Sequence, residues 1–157
     1  KAYADPASPL AKELCKPLNA RAKEWQTFSG APWTVGYGAT GQDPFNNQPI
    51  GPNTVWTQAQ ADERLKQHVN EFAQGVWKLL SQDAQHYISD NQFAAIVCFA
   101  YNLGLGALKN STLLKLVNVK KWDAAADEFL KWTKAKGQVL PGLVTRRSNE
   151  RRLFLTK

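Results

Sequence analysis

Residues 57–80 read TQAQADERLKQHVNEFAQGVWKLL and divide the chain into two parts of different character. Thr57 is followed three positions later by Gln60, the spacing of a capping box, in which each side chain satisfies the other residue's backbone N–H. Ala61, Leu65, Val69, Phe72, Val76 and Leu80 then recur at three- and four-residue steps, which predicts one long amphipathic helix. Upstream the character changes. Residues 1–56 hold most of the prolines and half of the glycines, with no sustained helical period.

Downstream, helices follow one another. SDNQFAAIVCFAYNLG (89–104) pairs Ser89 with Gln92 at its start and stops at Gly104. It is apolar nearly all round from Phe93 to Leu103, so it is expected to be the central buried helix. NSTLLKLVN is a shorter helix, KWDAAADEFLKWTKA another that ends before Gly137, and Pro141 opens the last, PGLVTRRSNERRLFL. The fold class is α+β: a β-containing lobe over 1–56, then a helical lobe over 57–157, with the long helix linking them in a single domain. WTVGYGATG (33–41), with Gly36, Gly38 and Gly41, is expected to be a β-hairpin or its turn. On a strand, Gly36 and Gly38 share a face that lets something approach the backbone closely.

The 157 residues fit one domain able to bury a core. No run approaches a membrane helix in length, and no signal-peptide pattern is seen. The chain has no Met, even at position 1, which points to a processed or truncated product. A net charge of +7 favours polyanions such as nucleic acid, anionic lipid or acidic wall polymers. The densest cluster, TRRSNERR (145–152), is interrupted by Glu150. Cys98, inside an apolar run, is expected to be a buried core thiol; Cys15 lies in a polar segment. The pair makes no metal motif and a weak disulfide case, so a reduced cytosol is the default. His68 and His86 lack metal-ligand spacing and are expected on the surface. Trp25 or Trp33 could offer a sugar-stacking face, while Trp56, Trp77, Trp122 and Trp132 are expected to be core or half-buried anchors.

Three ordered segments then carry a resemblance. PWTVGYGATG is similar to the Thr-hydrophobic-Gly-Tyr-Gly hairpin of the phage-type lysozymes, the endolysin muramidases that cut peptidoglycan. FAAIVCFAYNLGLGALKNSTLL resembles that family's central helix and the turn after it, and LPGLVTRRSNERRLFL its closing helix. The resemblance implies a lysozyme-like fold and hydrolysis of the β-1,4 bond between N-acetylmuramic acid and N-acetylglucosamine. It implies no metal or organic cofactor, because proton transfer and charge stabilisation suffice.

The family's site is a Glu, an Asp nine residues later and a Thr six beyond that. The Glu protonates the leaving oxygen, the Asp stabilises positive charge or activates water, and the Thr hydroxyl orients that water. Carried over, Thr34 matches the Thr, Asp5 the Asp, and Tyr3 supports Asp5. Twenty-eight residues separate Asp5 from Thr34 where the common pattern has five, so residues of about 6–31 are expected to be an inserted loop. The position of the motif Glu falls ahead of Lys1. Truncation is the leading explanation, with Glu24 or Glu13 as a substitute acid the other. The comparison further implies substrate contacts at Gly36, Gly38, Tyr101, Asn110, Ser111 and Glu128, with Trp132 beside Glu128. Arg147, or Arg146 in its place, would pair with the motif Glu.

The expected partner is bacterial peptidoglycan, met by a monomer whose basic charge also draws it to the anionic envelope; no nucleic acid partner is expected. The expected location is the host cytoplasm, then periplasm or wall on lysis. The competing reading is a catalytically silent module that grips glycan without cutting it.

Overall fold

The computed structural model describes Ala2 and residues 33–157. The chain divides into two compact units, Lys1–Gln67 and His68–Lys157. Across the described residues the class is α+β, mostly helical with one small antiparallel sheet.

In the first unit, two short loops close on a small apolar core. Val35 and Ala39 exchange backbone hydrogen bonds of 2.9 and 3.0 Å, so residues 36–38 form a tight turn. Gln42 bridges Pro49, which closes the second loop. Val35, Ala39, Ile50, Trp56 and Ala61 pack together with Ala2 and Trp33. The stretch 33–41 is therefore the turn of a minimal hairpin closed by one antiparallel bridge, the second of the two forms expected. Gly36 and Gly38 do not share a strand face: both take positive φ, 61° and 102°, which L-residues other than Asn and Asp rarely adopt.

Helix α1 (Gln58–Leu79) begins as its sequence predicts. The Thr57 N–H donates to Gln60 Oε1 at 2.9 Å, and the Gln60 N–H donates to Thr57 Oγ1 at 3.1 Å. Of its apolar stripe, Ala61, Val76 and Leu80 are buried, whereas Val69 stays exposed. From His68 onward it belongs to the second unit, whose other helices are α2 (Gln82–Tyr87), α3 (Asp90–Leu103), α4 (Leu105–Lys109), α5 (Thr112–Asn118), α6 (Trp122–Glu128) and α7 (Pro141–Leu155). Ser89 and Gln92 complete a second capping box, and Gly104 ends α3 with φ 92°. Pro141 occupies the first turn of α7, where its missing N–H costs nothing.

Helix α3 is the core of this unit, with Ala95, Ile96, Val97, Phe99 and Ala100 buried. It is not buried all round. Ala94, Cys98 and Asn102, spaced four apart, form an exposed stripe, so Cys98 is an exposed thiol and not the core thiol expected. The apolar run around Cys98 hides this, because alanine and cysteine look core-like in any setting. His68 is half-buried, its ring 6.4 Å from that of Tyr101, whereas His86 is exposed as expected. Trp77 is exposed, although its ring meets Phe93 edge-on at 5.6 Å.

The predicted helix over KWDAAADEFLKWTKA is shorter than expected. It stops at Glu128, continues as a 3₁₀ turn over Phe129–Lys131, and becomes a hairpin of β1 (Lys134–Ala135) and β2 (Gln138–Val139). Residues three apart nearly eclipse in a 3₁₀ turn. This sets Phe129 and Trp132 on one side, each meeting Phe99 edge-on at 5.7 and 5.4 Å. Lys136 and Gly137 both have positive φ, 50° and 80°, the signature of the two-residue type I′ turn.

Candidate functional site

In the first unit, the residues singled out from the sequence lie on the Gly-rich turn. Thr34 enters it and is buried, with 8% of its surface exposed. A Cβ on Gly36 would stand 3.1 Å from Trp56 Cε3, closer than real contacts usually allow. Among the described residues, nothing lies within 4 Å of where one would sit on Gly38. The Trp56 ring is itself fixed. Its Nε1–H donates to Asp43 Oδ2 at 2.9 Å, and Phe45 meets it edge-on at 5.2 Å. Asp43, only 3% exposed, also accepts the Phe45 N–H at 2.9 Å. The tip of the turn is tied to α1: Gln58 Nε2 donates to the Tyr37 hydroxyl, which donates to Asp62 Oδ1 at 3.1 Å.

Sequence reading did not single out Asp43. An aspartate among prolines and asparagines looks like a turn residue, and only its tryptophan partner marks it as buried.

In the second unit, the main polar feature is Arg147 on α7. The residue is fully buried, and its guanidinium lies 5.1 Å from the centre of the Phe99 ring. Nη1 donates to Glu150 Oε2 at 2.7 Å and Nη2 donates to Asn102 Oδ1, whereas Nε is buried with no hydrogen-bond partner among the described residues. Burial lowers the Arg147 pKa from its ordinary value, against the pull of Glu150. Burial likewise pushes the Glu150 carboxyl up to about 7, against Arg147 and then Arg146. Thr145, Arg146, Asn149, Glu150 and Gly142 of α7, with Cys98 of α3, line a hollow of about 390 Å³. Asn102 and Glu150 were not picked out from the sequence; the three-residue spacing of Arg147 and Glu150 on one helix was the available signal.

The remaining candidates in this unit are held locally. Tyr101 is half-buried, with its ring edge-on to Phe72 at 5.5 Å. Asn110 Nδ2 donates to the Gly106 carbonyl at 3.1 Å. Ser111 caps α5: its Oγ accepts the Leu114 N–H at 3.1 Å and donates to the Leu108 carbonyl at 2.7 Å. Glu128 is buried and accepts from Lys131 Nζ. Tyr3, Asp5, Glu13, Cys15, Glu24, Trp25 and the loop of about 6–31 lie outside the described residues. Among the described residues, no group of three or more His, Cys, Asp or Glu side chains could hold a metal ion. Nor is any helix there long and apolar enough to cross a membrane.

Comparison with known proteins gives these features a context. The phage lysozyme family model matches residues 19–150. The endolysin of Bacillus phage B103 is 48% identical over 124 residues, which cover 79% of this chain and 43% of that protein. The chain thus spans less than half the length of that relative. Among solved structures, a P22 lysozyme mutant aligns with a TM-score of 0.68 and 30% identity, covering 94% of this chain and 93% of the other. The muramidase domain of SpmX from Asticaccaulis excentricus aligns with a TM-score of 0.66 and 31% identity, covering 80% of this chain and 81% of the other. The architecture is lysozyme-like.

Proposed function

The chain belongs to the phage lysozyme family, and on that footing we propose that it is an endolysin muramidase, a glycoside hydrolase that causes bacterial lysis. Its substrate is peptidoglycan, and the bond cut is the β-1,4 link between N-acetylmuramic acid and N-acetylglucosamine. Asp5 is the ionised carboxylate that stabilises positive charge at the anomeric carbon or activates water, and Tyr3 supports it. Thr34 orients that water. Gly36, Gly38, Tyr101, Asn110, Ser111 and Glu128 contact the substrate. The general acid in the family's reaction is a glutamate.

The observation that carries this reading is Arg147. A fully buried guanidinium keeps one N–H, on Nε, without a partner among the described residues. Leaving such a donor unsatisfied costs about 1–3 kcal/mol, more on a charged group, unless a further acceptor completes it. A catalytic carboxyl is the acceptor that the family motif supplies, and Arg147 would then hold its orientation and tune its proton affinity. The enzyme acts as a monomer at the cell wall, reached from the host cytoplasm at lysis, with residues 1–56 and 57–157 as its two lobes.

The test is release of reducing ends from purified peptidoglycan by the protein, beside Asp5→Asn. Release that Asp5→Asn reduces by several orders of magnitude supports the proposal. Release indifferent to Asp5→Asn overturns the assignment of the carboxylate. Glycan binding with no release identifies the silent module instead.

A further inference from the structure

Residues 129–149, FLKWTKAKGQVLPGLVTRRSN, contain five Lys or Arg and no Asp or Glu. Two of the five have a local carboxyl partner, Lys131 with Glu128 and Arg147 with Glu150. Lys134, Lys136 and Arg146 have no ion pair among the described residues. The same segment concentrates apolar exposure. Leu130, Val139, Leu140 and Val144 are each between 40% and 55% exposed. Both strands of the hairpin are exposed at every residue, so neither face is packed.

Such a hairpin gains little from its own burial, and two strands alone are marginal in water. Its type I′ turn and the Leu140 N–H, which donates to the Thr133 carbonyl at 3.0 Å, hold it in register. The register sets Lys134 directly opposite Val139, so the lysine stem lies beside an exposed apolar side chain. Leu140 and Val144, one helical turn apart, face the same way at the start of α7.

We propose that this hairpin and the start of α7 form a docking surface for an anionic lipid bilayer. Lysine heads reach lipid phosphates while their stems and the neighbouring apolar groups enter the boundary between headgroups and acyl chains. A polyanionic wall polymer would neutralise the lysines equally well, but it would leave Val139, Leu140 and Val144 in water. The exposed apolar groups therefore select lipid. The inference rests on neither the proposed hydrolysis nor its site residues.

The experiment is co-sedimentation of the full chain with vesicles of equal parts phosphatidylglycerol and phosphatidylcholine, and with phosphatidylcholine alone. The chain should partition onto the anionic vesicles, stay in solution with the neutral ones, and be released at about 1 M salt, where charges are screened within about 3 Å. Lys134→Gln with Lys136→Gln should weaken partitioning about fivefold per lysine. Val139→Ser with Leu140→Ser should weaken it roughly tenfold, through the lost apolar contact. Neither pair should alter peptidoglycan digestion or the melting temperature; if the serine pair melts early, the glutamine pair alone decides. No partitioning onto anionic vesicles, or equal partitioning onto neutral ones, overturns the proposal. So does a correctly folded serine pair that binds as well as the parent, which would identify a simple polyanion contact.

Discussion

Glu150→Gln should change how the stability of this protein depends on pH. Glu150 is 6% exposed, and burial moves its carboxyl from an ordinary value of 4.5 to about 7 despite Arg147 at 2.7 Å. Between those values the folded chain holds a proton that the unfolded chain has released. Stability is therefore full below pH 4.5 and is lost as the pH rises through 7. The loss is at most about 1.4 kcal/mol per pH unit, or about 3 kcal/mol over the window. Glutamine keeps the shape and an acceptor for Arg147 but cannot ionise. Subtracting the variant's pH profile from the parent's cancels every other titrating group that the substitution leaves undisturbed. Urea unfolding from pH 4 to 8 measures the difference directly. By melting temperature, the variant should gain about 6–12 °C relative to the parent on going from acid to neutral pH. Parallel profiles would refute the reasoning by showing that Arg147 compensates fully for burial. A parent that gains stability against the variant as pH rises would show that the ion pair, not desolvation, dominates.

Gly36→Ala should cost about 2 kcal/mol, from its positive φ and from the fixed Trp56 ring 3.1 Å from the new methyl. Gly38→Ala should cost about 1 kcal/mol less, because it meets nothing; equal losses in urea unfolding would show that the ring yields. Trp56→Phe should cost about 1–3 kcal/mol by leaving the buried Asp43 carboxylate short of a donor. Combining it with Asp43→Asn should recover part of that loss, and full additivity of the two would argue against the coupling. Ser111→Ala removes the cap of α5 and should destabilise by about 1–2 kcal/mol in thermal unfolding. A shift below about 0.5 kcal/mol would mean that water replaces the hydroxyl.

The helices were legible because their start signals are local. Thr57 with Gln60 and Ser89 with Gln92 each close a capping box that involves no distant residue. The turn over 33–41 was legible as well, whereas the hairpin of β1 and β2 was not. Within 33–41 only the shared strand face of Gly36 and Gly38 fails, because both take positive φ in the turn and the Trp56 ring crowds Gly36. Lys136 and Gly137 look like the frayed end of a helix. They are instead a hairpin turn, because Phe129 and Trp132 are drawn onto Phe99 and the helix ends early. Thr34 and Arg147 were named from the family pattern, whereas Asn102, Glu150 and Asp43 depend on contacts that no local pattern records.

The sequence by itself determined the α+β class, most of the helix boundaries and the family, since capping, periodicity and motif order are properties of neighbouring residues. The tertiary structure decided which polar groups are buried. Arg147 and Glu150 lie in a charged cluster that reads as solvated surface. They are buried because α7 packs against α3, which brings Asn102 and the Phe99 ring to the guanidinium. The cost of burying a charge is set by its partners across the core, and those partners are fixed only when the helices meet.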